Sequence, residues 1–226
     1  MKIEAANRQN TKIKMAIQGC SGSGKTYSSL RIAKGLGKGS LQKVGVIDTE
    51  NGSSNLYAHL GNFKVVKLDN PHNPENYIRA IHLLEKKGAE IIIIDSISHA
   101  WEALVSEHAT LDGNSFTNWA RITPRQNKFI AAILNSNCHI ICTMRTKQDY
   151  VLNLVNGKHV PEKVGTKPIQ RNGVDYEFTI VVNLDQNNTG RITKDRTGLF
   201  RGQKPSILTE NVGAQLLFWA EADEEE

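Results

Sequence analysis

Residues 19–26 read Gly19-Cys20-Ser21-Gly22-Ser23-Gly24-Lys25-Thr26 and match the pattern G-x-x-x-x-G-K-[ST] at every position. An apolar run over 13–17 precedes them and an amphipathic stretch over 26–36 follows, which predicts a strand, a loop and a helix in that order. Glycines let successive backbone N–H groups approach an anion closely, and a helix N-terminus adds positive potential. The segment is therefore predicted to bind a nucleotide such as ATP, through Gly19, Ser21, Gly22, Ser23, Gly24, Lys25, Thr26 and Tyr27.

A bound nucleotide with Mg²⁺ would need a cation beside the phosphates and oxygen ligands for the metal. Lys25 is expected to neutralise the β- and γ-phosphate oxygens, and Thr26 to offer its hydroxyl to Mg²⁺. Asp95 follows the run Ile91–Ile94, which predicts a carboxylate at the end of a buried strand. The alternative interpretation is that Asp95 caps the next helix, but the phosphate-binding loop favours the Mg²⁺ role.

Hydrolysis also needs a group that orients or deprotonates the attacking water. Ser96 follows Asp95 where many ATPases carry a glutamate, so this group must come from elsewhere. Glu50 is the best candidate, because it lies just beyond a predicted strand over 43–47, at the same sheet edge as the loop. The alternative is that Glu50 is a solvated loop acid. His99 and His108 match no metal-binding spacing, and we predict no role for them.

Apolar runs alternate with amphipathic stretches along the whole chain, a pattern typical of parallel strands connected by helices. The sequence predicts one α/β domain over 1–220, with a mostly parallel, twisted sheet flanked by helices. Further strands are predicted over 65–68, 91–94, 139–144, 177–184 and 190–194, and further helices after Pro74 and from Pro124. Asn156-Gly157 between apolar residues predicts a protruding hairpin, inserted over about 147–172.

The composition fits a single core and a polyanionic partner. The chain has 226 residues, 39% of them hydrophobic, and a formal net charge of +5. Five of its 23 acids lie in the tail 221–226, so the rest of the chain is more basic than the whole. We expect no membrane association and a cytoplasmic location, because neither a membrane span nor a secretory signal is visible. The tail is expected to be merely solubilising, or else to compete with DNA for a basic groove or to dock on a partner.

Several short motifs together resemble the core of RecA-type ATPases. They are the phosphate loop, Asp48-Thr49-Glu50, Asp95-Ser96 after the isoleucine strand, and the strand His139–Arg145. The resemblance implies that Glu50 activates water and that Thr143 or Arg145 senses the γ-phosphate. It thus adds a RecA-like P-loop fold to the α/β prediction.

A narrower resemblance covers about 12–205. The segments Trp119 to Lys128, Met144-Arg145-Thr146-Lys147, Tyr176-Glu177-Phe178 and Thr193-Lys194-Asp195-Arg196 resemble the phage-encoded Sak single-strand annealing group. The Lys194 and Arg196 pair is similar to cations that RecA-like rings insert into the neighbouring subunit's ATP site. It implies self-association into a ring or filament, whereas the alternative is an exposed basic strand end.

The RecA-type resemblance also implies where single-stranded DNA binds. The corresponding loops are 109–119 and 146–172, and the second mixes bases with an aromatic residue, as a backbone groove with a stacking platform requires. The DNA contacts expected there are Lys147, Tyr150, Lys158, Lys163, Lys167 and Arg171. The alternative for this hairpin is an oligomer contact.

The motifs together predict an ATPase, stimulated by DNA, that binds single-stranded DNA and promotes annealing or homologous recombination. A phage-encoded protein of this kind would act in the host cytoplasm, and its acidic tail could dock on a single-strand binding protein. The runner-up is a nucleotide-gated assembly module that docks a replication or packaging protein and has little affinity for DNA. A helicase motor or a small-molecule kinase comes third.

Overall fold

The computed structural model describes residues 11–155 and 158–222, without the side chains of Tyr150, Lys163 and residues 152–155 and 158–161. The predicted contacts Tyr150, Lys158 and Lys163, and the tail beyond Ala222, therefore lie outside the described side chains. The strands are β1 Lys14–Gly19, β2 Val44–Asp48, β3 Lys64–Lys67, β4 Ile91–Asp95, β5 His139–Val155, β6 Lys158–Pro168, β7 Ile180–Leu184, β8 Thr189–Asp195 and β9 Ser206–Ile207.

These strands form one mixed sheet in the order β3-β2-β4-β5-β1-β7-β8-β9. All pairs from β3 to β7 are parallel, whereas β8 and β9 are added antiparallel at one side. The predicted mostly parallel sheet is thereby confirmed. β5 lies between β1 and β4, so the strand before the phosphate loop and the strand ending at Asp95 are not neighbours.

Five helices cover both faces of the sheet in the described residues: α1 Lys25–Leu36, α2 Pro74–Lys86, α3 Ser98–Thr110, α4 Ser115–Asn135 and α5 Glu210–Glu221. One apolar cluster joins the sheet to α1 and α5, and a second joins it to α2, α3 and α4. Ile91 and Ile93 belong to the first cluster, and Ile92 and Ile94 to the second. Burial on both faces, worth about 1.5–3 kcal/mol per side chain, explains the unbroken isoleucine run.

The prediction that Pro124 opens a helix is wrong. α4 begins at Ser115, where the side chain of Asn114 accepts a hydrogen bond from the Phe116 N–H at 2.8 Å, and Pro124 lies in the helix interior. Proline removes the N–H that would bond the carbonyl four residues earlier, and that residue, Ala120, is exposed to solvent. Water can satisfy the freed carbonyl, so the helix continues through the proline.

The predicted hairpin is an extension of β5. Residues His139–Arg145 of β5 pair with β1 and β4 inside the sheet. From Thr146 to Val155, the same strand pairs antiparallel with β6 over the described residues. The hairpin arm, defined as β5 from Thr146 together with β6, thus continues directly from a core strand.

The parallel strands bring the chemically important residues to one edge. Gly19 ends β1, Asp48 ends β2 and Asp95 ends β4. Asp48 lies beside Asp95, and Gly19 lies beside Arg145 of β5. This carboxyl edge is where open α/β sheets bind their ligands.

None of the helices within 11–155 and 158–222 is long and apolar enough to span a membrane.

Candidate active site

The phosphate-binding loop joins β1 to α1 and is built around two glycines with positive φ. Gly22 has φ 78° and Gly24 has φ 81°, a conformation that side-chain-bearing residues rarely adopt. A Cβ on Gly24 would also lie 2.6 Å from Oδ1 of Asn188. The loop therefore needs glycine at position 24 for its backbone angle, and the Asn188 side chain lies close against it.

A cavity of about 670 Å³ opens over this loop. The predicted nucleotide-binding residues that line it are Ser21, Gly22, Gly24, Lys25, Thr26 and Tyr27, whereas Gly19 and Ser23 are buried beneath. Lys25 Nζ donates to the Cys20 carbonyl at 2.7 Å, and Ser23 Oγ donates to the same oxygen at 2.9 Å. Burial lowers the pKa of Lys25, so its ammonium gains from an anion placed in the cavity.

Asp95 lies at the floor of the cavity between two threonines. Thr26 Oγ1 donates to one carboxylate oxygen and Thr143 Oγ1 to the other, both at 2.5 Å. The side chain is only 1% exposed, and burial raises the pKa of Asp95 although both hydrogen bonds oppose the shift. A buried carboxylate beside a hydroxyl and an open cavity has the chemistry of a Mg²⁺ site, because a cation would offset the desolvation of the carboxylate.

Asp48 fixes the loop that carries Glu50. Its buried carboxylate accepts hydrogen bonds from the N–H groups of Glu50 at 2.8 Å, Gly52 at 3.2 Å and Ser54 at 3.0 Å. Ser54 Oγ adds a fourth bond at 2.5 Å. The Glu50 side chain lines the cavity with Lys25 and Asp95, so the structure brings the predicted water-activating residue to the phosphate loop.

Arg145 and His99 stand next to Glu50. Arg145 Nε is 3.9 Å and His99 Nε2 is 3.8 Å from the same carboxylate oxygen, Glu50 Oε1. Arg145 Nη1 and His99 Nε2 are 3.1 Å apart. We predicted no role for His99, and no local spacing in the sequence indicates that the first turn of α3 lies against β5 and Glu50.

Two aromatic residues, Tyr27 and Tyr57, line the same cavity. Tyr27 and Tyr57 have ring centroids 5.6 Å apart, and the Arg31 guanidinium lies 5.8 Å from the Tyr27 centroid. Tyr57, Arg31 and Asn188 all line the cavity, and sequence reasoning identified none of them. Tyr57 follows Glu50 by seven residues on a short 3₁₀ helix, Ser53–Leu60, that has no motif of its own.

Lys194 and Arg196 lie at the edge of the sheet where the parallel strands begin, opposite the edge that carries the phosphate loop. β8 runs antiparallel to β7, so Asp195 pairs with Ile180, which in turn lies beside Met15 near the start of β1. A rise of about 3.3 Å per residue puts this level roughly 13 Å from the end of β1. Arg196 Nη2 donates to the Tyr176 carbonyl at 2.7 Å, and Lys194 Nζ contacts the same oxygen. The structure therefore does not bring this pair to the phosphate loop of its own chain.

Three predicted DNA-binding residues have described side chains, Lys147, Lys167 and Arg171, and they lie together on a different surface from the nucleotide cavity. We name this surface the basic groove: a cavity of about 760 Å³ whose walls include Lys147, Lys167, Arg171, Trp101, Phe116 and Trp119. Phe116 is 87% exposed. The Trp119 ring stacks with Trp101 at 5.7 Å and with His108 at 4.0 Å, measured between centroids.

Thr143→Val should lower the free energy of unfolding by about 1.5–3 kcal/mol, because the change keeps the volume but removes a donor to a buried carboxylate. Urea unfolding at pH 7 without nucleotide measures this effect. Thr166→Val, at an exposed side chain of β6, is the control and should change stability by less than about 0.5 kcal/mol. Equal stability of the two variants would contradict a stabilising bond from Thr143 to Asp95.

Comparison with known proteins agrees with this geometry. A family model described as an AAA domain matches residues 11–205. No curated protein matches the sequence. The matched region contains the phosphate loop, Glu50, Asp95, Thr143 and Arg145 together. Because the match spans most of the chain, the protein belongs to the AAA-domain family of P-loop ATPases.

Proposed function

We propose that the protein hydrolyses ATP in order to control its grip on single-stranded DNA and that it promotes annealing or homologous recombination. The observation that carries the proposal is that one face of β5 holds residues of both the candidate active site and the basic groove. Side chains two residues apart on a strand share a face, and on this face Thr143 contacts Asp95, Arg145 lies beside Glu50 and Lys147 lines the basic groove. The resemblance of the sequence motifs to the Sak group favours annealing or recombination as the process.

At the hydrolytic end of this face, different residues bind the phosphates, hold the metal and activate water. The loop N–H groups and Lys25 bind the phosphates, while Thr26 and Asp95 would hold Mg²⁺. When bound, Mg²⁺ supplies charge neutralisation at the phosphate oxygens. Glu50 orients a water molecule and accepts its proton, and Arg145 lies close enough to respond to the charge of the γ-phosphate.

At the DNA end, the basic groove offers both charge and stacking surface. Lys147 and Lys167 are directly opposite each other on β5 and β6, an arrangement in which like charges repel. Asp149 offsets part of this repulsion through an ion pair with Lys167 at 2.5 Å. A phosphate backbone would offset the remainder, and the exposed ring of Phe116 gives a base a surface to stack on.

Arg145 connects the two ends through its backbone as well as its side chain. Its N–H donates to Ser98 Oγ at 2.9 Å, at the start of α3, and its carbonyl accepts from the Ile169 N–H at 2.7 Å, at the end of the hairpin arm. A shift of the arm on DNA would therefore move the residue beside Glu50. This connection supports hydrolysis that is stimulated by DNA.

The position of Lys194 and Arg196 supports assembly. The pair lies at the sheet edge opposite the phosphate loop, so it can contribute to hydrolysis only in a neighbouring copy. Contacts that join one edge to the other are head-to-tail and generate a ring or a filament. Docking of the acidic tail on a single-strand binding protein remains a prediction.

The double variant Lys147→Glu with Arg171→Glu should weaken binding of a fluorescent oligodeoxythymidine by at least about tenfold at moderate salt, because two phosphate contacts become repulsive. It should also reduce the slope of log affinity against log salt by about 1.4 units, because each phosphate contact on a single strand contributes about 0.7. Fluorescence anisotropy titrations with Mg²⁺ and a non-hydrolysable ATP analogue measure both quantities.

Arg79→Glu with Lys86→Glu on the exposed surface of α2 is the matched control, since it changes the same charges away from the groove. This control should bind DNA like the parent. If the parent hydrolyses ATP but shows no salt-dependent DNA binding, the proposal of a DNA-binding ATPase fails. The nucleotide-gated module that docks a protein partner would then replace it.

A further inference from the structure

His99 is the first-turn residue of α3 that faces the candidate active site. Its side chain is 15% exposed, and its ring stacks on that of His72 with centroids 5.1 Å apart. Its two nitrogens contact different partners: Nδ1 lies 2.8 Å from Thr49 Oγ1, and Nε2 lies 3.1 Å from Arg145 Nη1. Stacking and these two contacts fix both the plane and the rotation of the imidazole.

The partners determine where the protons lie. The Arg145 guanidinium can only donate, so His99 Nε2 must accept, and the neutral ring then carries its hydrogen on Nδ1. His99 Nδ1 therefore donates to Thr49 Oγ1, which also accepts from the Ser96 N–H at 2.9 Å. The Thr49 hydroxyl donates its own hydrogen to the Asp95 backbone carbonyl, with Oγ1 3.0 Å from the carbonyl oxygen. Every donor in this chain of contacts has an acceptor.

The geometry points to His99 as a positioning residue that acts through Arg145. By accepting from Nη1, His99 holds the guanidinium with its Nε 3.9 Å from Glu50 Oε1. This separation is too long for a direct hydrogen bond and leaves the carboxylate lone pairs available to water. Without an acceptor at position 99, the guanidinium can close on Glu50 as a bidentate pair that occupies both oxygens. This inference rests on the water-activating role proposed for Glu50.

Three substitutions separate the two contacts of His99. The carboxamide of glutamine extends to the position of Nε2 and can accept from Arg145, whereas that of asparagine reaches only the position of Nδ1 and Thr49. Phenylalanine keeps the ring but neither nitrogen. We expect His99→Phe and His99→Asn to lower kcat for ATP hydrolysis by about tenfold or more, and His99→Gln by less than about threefold. The KM for ATP should change less than about twofold in all three, because the phosphate contacts are intact.

The test is steady-state phosphate release by the full chain, with His82→Gln on the exposed side of α2 as a control that should match the parent. In an Arg145→Gln background, His99→Asn should cause no further loss, because its effect runs through Arg145. Equal losses for Gln, Asn and Phe, or an undiminished effect in the Arg145→Gln background, would overturn the inference. If the Phe variant does not fold, the comparison of Gln with Asn decides alone.

Failure of the water-activating role of Glu50 can be distinguished from failure of the positioning role of His99. If Glu50→Gln keeps the parent's kcat, the role of Glu50 fails, and the inference about His99 fails with it. If Glu50→Gln is inactive while His99→Asn is as active as the parent, only the positioning role of His99 is overturned.

Discussion

Glu50→Gln is expected to lower kcat for ATP hydrolysis by about 10²–10⁴-fold while leaving ATP affinity within a few-fold of the parent. The amide keeps the size of the side chain but cannot accept a proton from water. The phosphate contacts come from the loop and Lys25, which the substitution does not touch. Single-turnover phosphate release measures the chemical step, and titration with a fluorescent ATP analogue measures binding.

Glu102→Gln is the matched control for this variant. Glu102 lines a second cavity together with Glu50 and His99, but it does not line the nucleotide cavity. The Glu102→Gln variant should therefore hydrolyse ATP like the parent. A Glu50→Gln protein with the parent's kcat would mean that another group activates the water, and loss of ATP binding would mean that the substitution disturbs the loop held by Asp48.

The sheet and its phosphate loop could be predicted from local patterns because each of their signals lies within a few consecutive residues. The loop motif fixes the order of strand, turn and helix, and the isoleucine run before Asp95 marks a strand buried on both faces. The carboxyl ends of parallel strands share an edge, so Glu50 and Asp95 could be assigned to one site without knowledge of the strand order.

The rest of the candidate site depends on contacts between residues far apart in the sequence. His99 contacts Arg145 because α3 starts against β5, and Asn188 reaches Gly24 from the β7–β8 turn. Neither contact leaves a periodic pattern or a motif. Pro124 misled the prediction for a related reason, since its local preference for a helix start yielded to packing of the long α4 against α2 and α3.

The connection between the hairpin arm and the sheet could not be predicted from its local signal, and Asn156-Gly157 itself lies outside the described residues. Asn156-Gly157 predicted a turn, but only the pairing shows that β5 continues from Thr143 into the arm without a break. A continuous strand is stiffer than a loop, so a displacement of Lys147 on binding DNA would reach Arg145 two residues away. This continuity is the physical basis for expecting hydrolysis to depend on DNA.

Lys194→Ala with Arg196→Ala is expected to lower DNA-stimulated ATP hydrolysis by about 10³-fold, the effect of removing a cation supplied in trans. Both side chains contact the Tyr176 carbonyl at the sheet edge opposite the phosphate loop, and they interact with no residue of the nucleotide cavity in the described contacts. ATP binding by the isolated chain should therefore be unchanged. Arg191→Ala, on the exposed part of the same strand, is the control.

Mixing two inactive variants separates action in trans from a structural effect. Lys25→Ala subunits have a defective phosphate site but intact Lys194 and Arg196, whereas the double alanine variant has the reverse. In an equimolar mixture, about a quarter of head-to-tail interfaces pair an intact site with an intact cation pair, so hydrolysis should recover to a comparable fraction of the parent rate. A mixture of Lys25→Ala with Glu50→Gln should not recover, because no subunit has an intact site. Absence of recovery in the first mixture, with both variants folded and assembled, would contradict a trans role and leave Lys194 and Arg196 as an exposed basic strand end.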